Sequence, residues 1–354
     1  MCSVLNMSRN RFEIGSEFWF EDDLPQAVSD RDGVYALSGR TAIDLIIQDI
    51  LKTRKIRNVY MPAWCCDSML APFVARGIDI KFYDISLAES ADTAEILCDF
   101  CDFRENIFYV TNYFGYENTL PVETVKNFKE QGSIILYDRT HSFLMGDDPY
   151  LALADYSFAS IRKWMGVIGG AVVSGVKDCQ LKPGTYLACK EEAMRMKKAF
   201  IGGDETIDKQ SFLDLYAEFG HHLAEDYQNY EMDDLSYAIY MTEDLSAIRR
   251  NRRENAKYLH DHLNLNFLCH LTDNAVPLFV PVFFETTEQR NAVRKKLKEA
   301  RIYCPIHWPK PAQIPADCEA NKIYDTELSL ICDQRYNLED MQRIVAIMNE
   351  HDFR

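Results

Sequence analysis

Ser157-Phe158-Ala159-Ser160-Ile161-Arg162-Lys163-Trp164, with Gly166, Gly169 and Gly170 behind it, is an apolar run that ends in a lysine. Burying an ammonium is costly, and the cost falls if the amine is consumed in an imine. The neighbouring Arg162 makes the amine easier to deprotonate, which an imine-forming lysine needs. The glycines leave backbone room for a bound ring. A lysine that merely snorkels out of a strand end accounts for the same segment.

Upstream, Ser133-Ile134-Ile135-Leu136-Tyr137 reads as a strand, and Asp138 stands at its carboxyl end. Ligands of open α/β sheets bind at that edge. A carboxylate there can pair with a protonated pyridine nitrogen and hold the ring as an electron sink, as pyridoxal phosphate (PLP) catalysis requires. His141 follows three residues later and is placed to meet the same ring or its substrate. A helix cap for Asp138 and a core histidine for His141 remain alternatives. Farther upstream, Ser38-Gly39-Arg40-Thr41 opens an amphipathic helix. Its first N–H groups and the helix dipole form a cup for a phosphate, to which the Ser157 and Ser160 hydroxyls can add.

Around these residues, strands alternate with helices. Asn58 to Met61, Ile78 to Tyr83, Ile107 to Thr111 and Ile134 to Tyr137 read as strands. Tyr156 to Ala159 and Ala171 to Ser174 read as a pair flanking the Lys163 turn. That alternation predicts a mostly parallel sheet with helices packed on it. Residues 185–260 read as helical. A second pattern follows, with strands at Val276 to Phe284 and Ile302 to Trp308 and helices at Thr287 to Ala300 and Asp340 to Glu350. The expected organisation is an N-terminal arm (1–30), a large α/β domain (31–250) and a small C-terminal α+β domain (251–354).

The ordered set resembles fold-type I PLP enzymes of the aspartate-aminotransferase-like fold, and in particular the DegT-like sugar aminotransferases. It comprises Ser-Gly-x-x-Ala at a helix start, Asp-x-x-His after a strand, and a Ser/Phe strand ending in Lys before Gly-Gly. Val59-Tyr60-Met61-Pro62 and Leu328-Ser329-Leu330 extend the match from about residue 12 to the end. The resemblance implies that Lys163 carries PLP as a Schiff base, that Asp138 meets the pyridine nitrogen, and that His141 takes the position of the Gln/His that follows it. It implies phosphate contacts from Gly39, Arg40 and Thr41, and an aromatic cover near Trp64, although the usual cover position falls closer to Cys66. It also implies amino transfer from an amino donor to a keto sugar or similar carbonyl compound, in a homodimer. Other PLP reactions (dehydratase, lyase, decarboxylase) and a non-catalytic regulatory module are the alternatives. The family's Ser five residues before the lysine is Phe158 here, and the Glu of its Gly-Glu-Gly-Gly is missing.

Composition limits the partners. The chain has 354 residues, with 39 basic and 55 acidic side chains, for a net charge of −16. That field opposes nucleic acid. No run of apolar residues is long enough to span a bilayer. Eleven irregularly spaced cysteines, with no recognisable signal peptide, lead us to expect reduced thiols in a cytoplasm. The single CxxC, Cys98 and Cys101, lacks a second pair, so no metal is expected. Arg249, Arg250, Arg252 and Arg253 lie beside an apolar stripe (Leu235, Tyr237, Ile239, Met241, Leu245, Ile248). The stripe reads either as a subunit contact or as packing within its own chain.

Overall fold

The computed structural model describes residues 13–21, 23–85, 103–117, 120–267 and 270–350; Cys98 and Cys101 lie outside them. The strands, in chain order, are β1 (Ile14–Gly15), β2 (Val34–Ala36), β3 (Asn58–Pro62), β4 (Asp79–Tyr83), β5 (Asn106–Thr111) and β6 (Ile134–Asp138). They continue as β7 (Tyr156–Ala159), β8 (Ala171–Ser174), β9 (Asn266–Phe267), β10 (Val280–Phe283), β11 (Ile302–Tyr303) and β12 (Glu327–Leu330). The helices are α1 (Gly39–Leu51), α2 (Asp67–Ala75), α3 (Val122–Glu130), α4 (Pro149–Leu153), α5 (Leu187–Ile201) and α6 (Lys209–Glu225). After them come α7 (Asp234–Thr242), α8 (Leu245–His262), α9 (Thr287–Glu299), α10 (Ala320–Thr326) and α11 (Leu338–Asn349).

Seven strands form the main sheet in the order β2-β8-β7-β6-β5-β3-β4. The run β4, β3, β5, β6, β7 is parallel throughout, and β8 is antiparallel to both of its neighbours. Its middle strands are apolar on both faces: β3 and β5 are buried at every position, as covered parallel strands must be. Phe108 of β5 stacks on Phe128 of α3 with ring centres 3.9 Å apart. The expected strand pair around Lys163 is present as β7 and β8, with Phe158 opposite Val173.

A second sheet, β12-β10-β9, is antiparallel and has its own apolar core, which includes Val280, Val282, Leu328, Leu330 and Ile344. Helix α8 touches both cores: Ile248 packs in the cluster containing Trp164, and Ala256 and Leu259 pack in the second core. From the N-terminal side, β1 pairs in parallel with β11. Gly15 has φ +92°, and a Cβ there would lie 2.5 Å from the Tyr303 carbonyl, so only glycine fits.

Two sequence-predicted strands are shorter than expected. In place of Val276 to Phe284, the ladder begins at Val280. The N–H groups of Val276 and Leu278 instead donate to the Gly115 and Phe114 carbonyls (2.9 and 2.8 Å). Arg252 bonds the Leu278 carbonyl (2.8 Å). The run Ile302 to Trp308 is a strand only over Ile302–Tyr303, because Pro305 has no N–H to continue a ladder.

The apolar stripe at 235–248 packs largely within its own chain. Tyr237, Ile239 and Ile248 are buried in one cluster with Trp164, while Met241 is 53% exposed. Arg252 is buried and Arg253 bonds the Thr272 and Ala275 carbonyls, so these two arginines hold their own chain together.

Candidate active site

The carboxyl ends of β2, β5, β6 and β7 converge. Pairing sets Thr111 beside Asp138 and Asp138 beside Phe158, and directly paired residues project on one face of a sheet. Over that row lies a cavity of about 180 Å³, whose lining includes Gly39, Arg40, Asp138, His141, Ser160 and Lys163. Thr41, Trp64 and Ser157 are not among the described lining residues. Side chains alternate along a strand; Phe158 faces the cavity, so Ser157 faces away from it. The Thr41 side chain turns to the cap residue, its Oγ1 lying 2.9 Å from Ser38 Oγ. Trp64 is fully buried and stacked on Tyr113 (4.5 Å, 15°). Its Nε1–H donates to the His307 carbonyl (2.7 Å). Cys66 lines the cavity instead, together with the aromatic side chains of Phe158, Tyr216, Phe219 and Trp308; the Trp308 ring lies 5.7 Å from that of His141.

Asp138 is buried, and burial raises its pKa above the ordinary carboxylate value, against the opposing pull of its Thr140 bond and of Lys163. Its Oδ1 accepts the Thr140 N–H (2.9 Å) and its Oδ2 accepts the Tyr109 hydroxyl (2.8 Å). His141 Nδ1 accepts the Phe114 N–H (3.1 Å). Burial, Lys163 and His307 hold the ring well below the ordinary histidine pKa. A neutral imidazole whose Nδ1 accepts must carry its proton on Nε2, and Nε2 lies 3.5 Å from Lys163 Nζ. Burial also lowers the Lys163 pKa; Arg162 adds to that effect, and Cys66 and Asp138 oppose it. The geometry thus presents an amine whose charged form burial disfavours, facing an N–H donor, with a buried acid nearby.

Gly39 opens α1 behind the N-cap Ser38, whose Oγ accepts the Thr41 N–H (3.1 Å). A Cβ at Gly39 would lie 3.3 Å from both Phe158 and Ser160, so the helix start is pressed onto the strand end. Arg40 reaches the Leu223 carbonyl (2.9 Å). The buried Nε atoms of Arg40 and Arg162 have no hydrogen-bond partner.

Sequence reasoning did not single out four groups that complete this region. Lys190 and Tyr216, from the helix pair α5 and α6, line the same cavity. Lys190 is buried and bonds Glu17 Oε2 (2.9 Å); mainly because of Lys190, the Glu17 carboxyl is drawn down to about 2. A sequence signal for Lys190 existed. Lys190, Ala193, Met194, Lys197 and Ile201 share the buried stripe of α5, and a lysine in such a stripe is out of place unless it meets an anion. His307 and Trp308 come from the segment between β11 and α10. A wider cleft of about 940 Å³ adjoins the cavity, and Glu17, Arg162 and Lys163 line both.

No protein-family model and no curated protein sequence matches the chain. Solved structures do. The aminotransferase TlmJ from Streptoalloteichus hindustanus superposes with a TM-score of 0.62 at 15% identity, over 90% of this chain and 84% of that one. Helicobacter pylori PseC, an aminotransferase involved in the biosynthesis of pseudoaminic acid, gives 0.63 at 15% identity, over 89% and 85%. NtdA from Bacillus subtilis, solved with bound cofactor PMP, gives 0.61 at 17% identity, over 90% and 72%. The fold is aspartate-aminotransferase-like. At these identities the likeness is one of architecture, and residue roles rest on the geometry above.

Proposed function

We propose that this chain is a PLP-dependent aminotransferase that transfers an amino group to a keto sugar or similar carbonyl substrate. The observation that carries the reading is the Lys163 amine, with its lowered pKa, 3.5 Å from the His141 Nε2 donor beside the buried Asp138, at the strand edge where α/β sheets bind ligands. The fold shared with aminotransferases supports it.

The residues fit the cofactor. The unpartnered Nε atoms of Arg40 and Arg162 await an anion. The first turn of α1 is pressed against the Ser160 end of β7, where a side chain at Gly39 would crowd Phe158 and Ser160, and a helix N-terminus favours a phosphate. Each Asp138 oxygen accepts one bond and has a second lone pair left for a ring N–H. Lys163 would hold the cofactor covalently, Asp138 would meet its ring nitrogen, and Gly39, Arg40 and Ser160 would hold its phosphate. Bound pyridoxal phosphate supplies the electron sink and an aldehyde carbon that accepts an amine. Once displaced by the amino donor, Lys163 Nζ takes and returns the proton at the substrate carbon. The His141 N–H faces that amine and orients it.

The adjoining cleft supports an anionic acceptor. Arg294, Lys295 and Lys298 of α9 line it with Lys209, which is paired with Glu13, while the acids lining it are Glu17 and Asp333. In a chain of net charge −16, such a local reversal steers anions into the site. We further place the boundary between a large cofactor-binding unit and a small one at about residue 250, within α8, and take the protein to be a cytoplasmic homodimer; the described cysteines are all unpaired. Among the described residues no helix is long and apolar enough to cross a membrane.

Borohydride reduction of the cofactor-loaded protein, followed by peptide mapping, tests the assignment. The label belongs on Lys163, and the visible absorption band should shift when an amino donor is added. A label on another lysine, or none, overturns the reading.

A further inference from the structure

His307 lines the large cleft together with Lys163. Its Nδ1 turns back to Ser329 Oγ (2.8 Å), which leaves Nε2 as the nitrogen available to a bound molecule. Ser329 Oγ in turn bonds Glu327 Oε1. Glu327 Oε2 accepts the His307 backbone N–H (2.7 Å). All three side chains are buried, and Glu327 is completely so. The cation whose charge acts on it, Arg290 of α9, donates to the backbone carbonyls of Tyr324 and Glu327 rather than to the carboxylate. The result is a buried acid with no ion pair among the described residues, connected through one hydroxyl to a histidine at the substrate cleft.

We propose that Glu327, Ser329 and His307 form a proton relay that delivers a proton from the second sheet to the carbonyl oxygen of the bound substrate. The proposal rests on the aminotransferase reading, in which that oxygen must leave as water. The step balances. Glu327 Oε1–H passes its proton to Ser329 Oγ, Ser329 passes its own to His307 Nδ1, and His307 Nε2–H passes its proton to the substrate oxygen. Glu327 ends ionised and the oxygen gains one proton. The imidazole is neutral before and after, having exchanged one tautomer for the other.

The electrostatics agree with this route. Burial and the facing Lys163 draw the His307 pKa down to about 3, so an imidazolium is not available near neutral pH. The ring can give a proton only if another arrives from behind. Glu327 can supply it, because burial pushes its carboxyl up to about 8, against the opposing pull of Ser329, the His307 N–H and Arg290. The other titratable and charged groups facing this relay are Cys304 and Arg294, Asp325 near Arg290, and Lys163 and His141 across the cleft. The protonation state of Glu327 therefore sets the His307 tautomer: Nε2–H when Glu327 is protonated, and Nδ1–H when it is ionised. His307 is the catalytic residue; Ser329 and Glu327 act through it.

Nitrogen-15 NMR of histidine-labelled protein tests this directly, with the His307 signal identified by its loss in His307→Asn. In the parent, the signal should pass from the Nε2–H to the Nδ1–H pattern as pH rises through about 8. In Glu327→Gln the amide donates permanently to Ser329, so the Nε2–H pattern should hold at every pH. Turnover of this variant should fall about 100-fold for want of a transferable proton, with Lys163 still loaded by cofactor. In Ser329→Ala the tautomer should no longer follow Glu327. A single His307 tautomer across the pH range in the parent, or the same switch in Glu327→Gln as in the parent, overturns the relay. Loss of the cofactor reading alone shows as an unlabelled Lys163 with the NMR switch intact.

Discussion

Glu327 makes stability depend on pH in a direction opposite to that of most carboxylates, and replacing it with glutamine should reveal the size of the effect. Its folded pKa is about 8 against an ordinary value of 4.5. The folded state therefore holds a proton that the unfolded chain has released throughout that window. Stability changes with pH in proportion to the protons bound by the unfolded state minus those bound by the folded state. Here the difference is negative, so this group makes stability fall as pH rises. The slope is at most about 1.4 kcal/mol per pH unit, and the total over the window at most about 5 kcal/mol. Below pH 4.5 both states are protonated and Glu327→Gln should match the parent closely, since the amide fills the same volume and can still bond Ser329 and the His307 N–H. Above pH 8 the parent carries the full cost of an ionised buried carboxylate and the variant does not. Urea unfolding at several pH values between 4 and 9, extrapolated to water, measures both. The variant should gain on the parent steadily across the window. Parallel curves, or a variant less stable than the parent at pH 9, would show that Glu327 ionises comfortably where it is and would refute the reasoning.

Three other outcomes follow from the same geometry. Asp138→Ala should retain some cofactor, measured by absorbance, yet lose most turnover, because the ring nitrogen loses its partner; a rate equal to the parent's would reduce Asp138 to a structural cap. Asp44 is fully buried and holds Arg76 through two bonds (2.8 and 2.9 Å). Arg76→Met strands that carboxylate and should cost about 3 kcal/mol in urea unfolding at pH 7, and a neutral result would mean that Gln48, which also bonds Asp44 (2.8 Å), is sufficient. Light scattering at micromolar concentration should report a mass of two chains, and a monomer that still turns over substrate would end the dimer proposal.

The sequence by itself determined six of the seven strand segments of the main sheet, the strand end that carries Asp138 and the turn after β7 that carries Lys163. All follow from local causes. Continuous apolar runs such as Ile134 to Tyr137 can only be covered strands, and a charged residue at the end of such a run must lie at a sheet edge. The N-terminus of α1 was legible for the same reason, since Ser38 caps it locally. Tertiary structure decided which neighbours share the cavity. Whether Ser157 or Phe158 faces it depends on which side of β7 is covered, and a four-residue strand does not encode that side. Trp64 does not line the cavity because Tyr113 and the His307 carbonyl hold it from elsewhere in the chain. Lys190, Tyr216, His307 and Trp308 reach the site from segments between 27 and 145 residues beyond Lys163 in the chain. No spacing rule connects them to it, because their approach is set by how α5, α6 and the second sheet pack against the first. The Glu327–Ser329–His307 chain shows the same division. An acid at Glu327 and a serine at Ser329 are alternate residues of one strand, which places both on one face. Only the packing of the 302–308 segment against that face brings His307 to them, and removes the water that would otherwise keep the acid ionised.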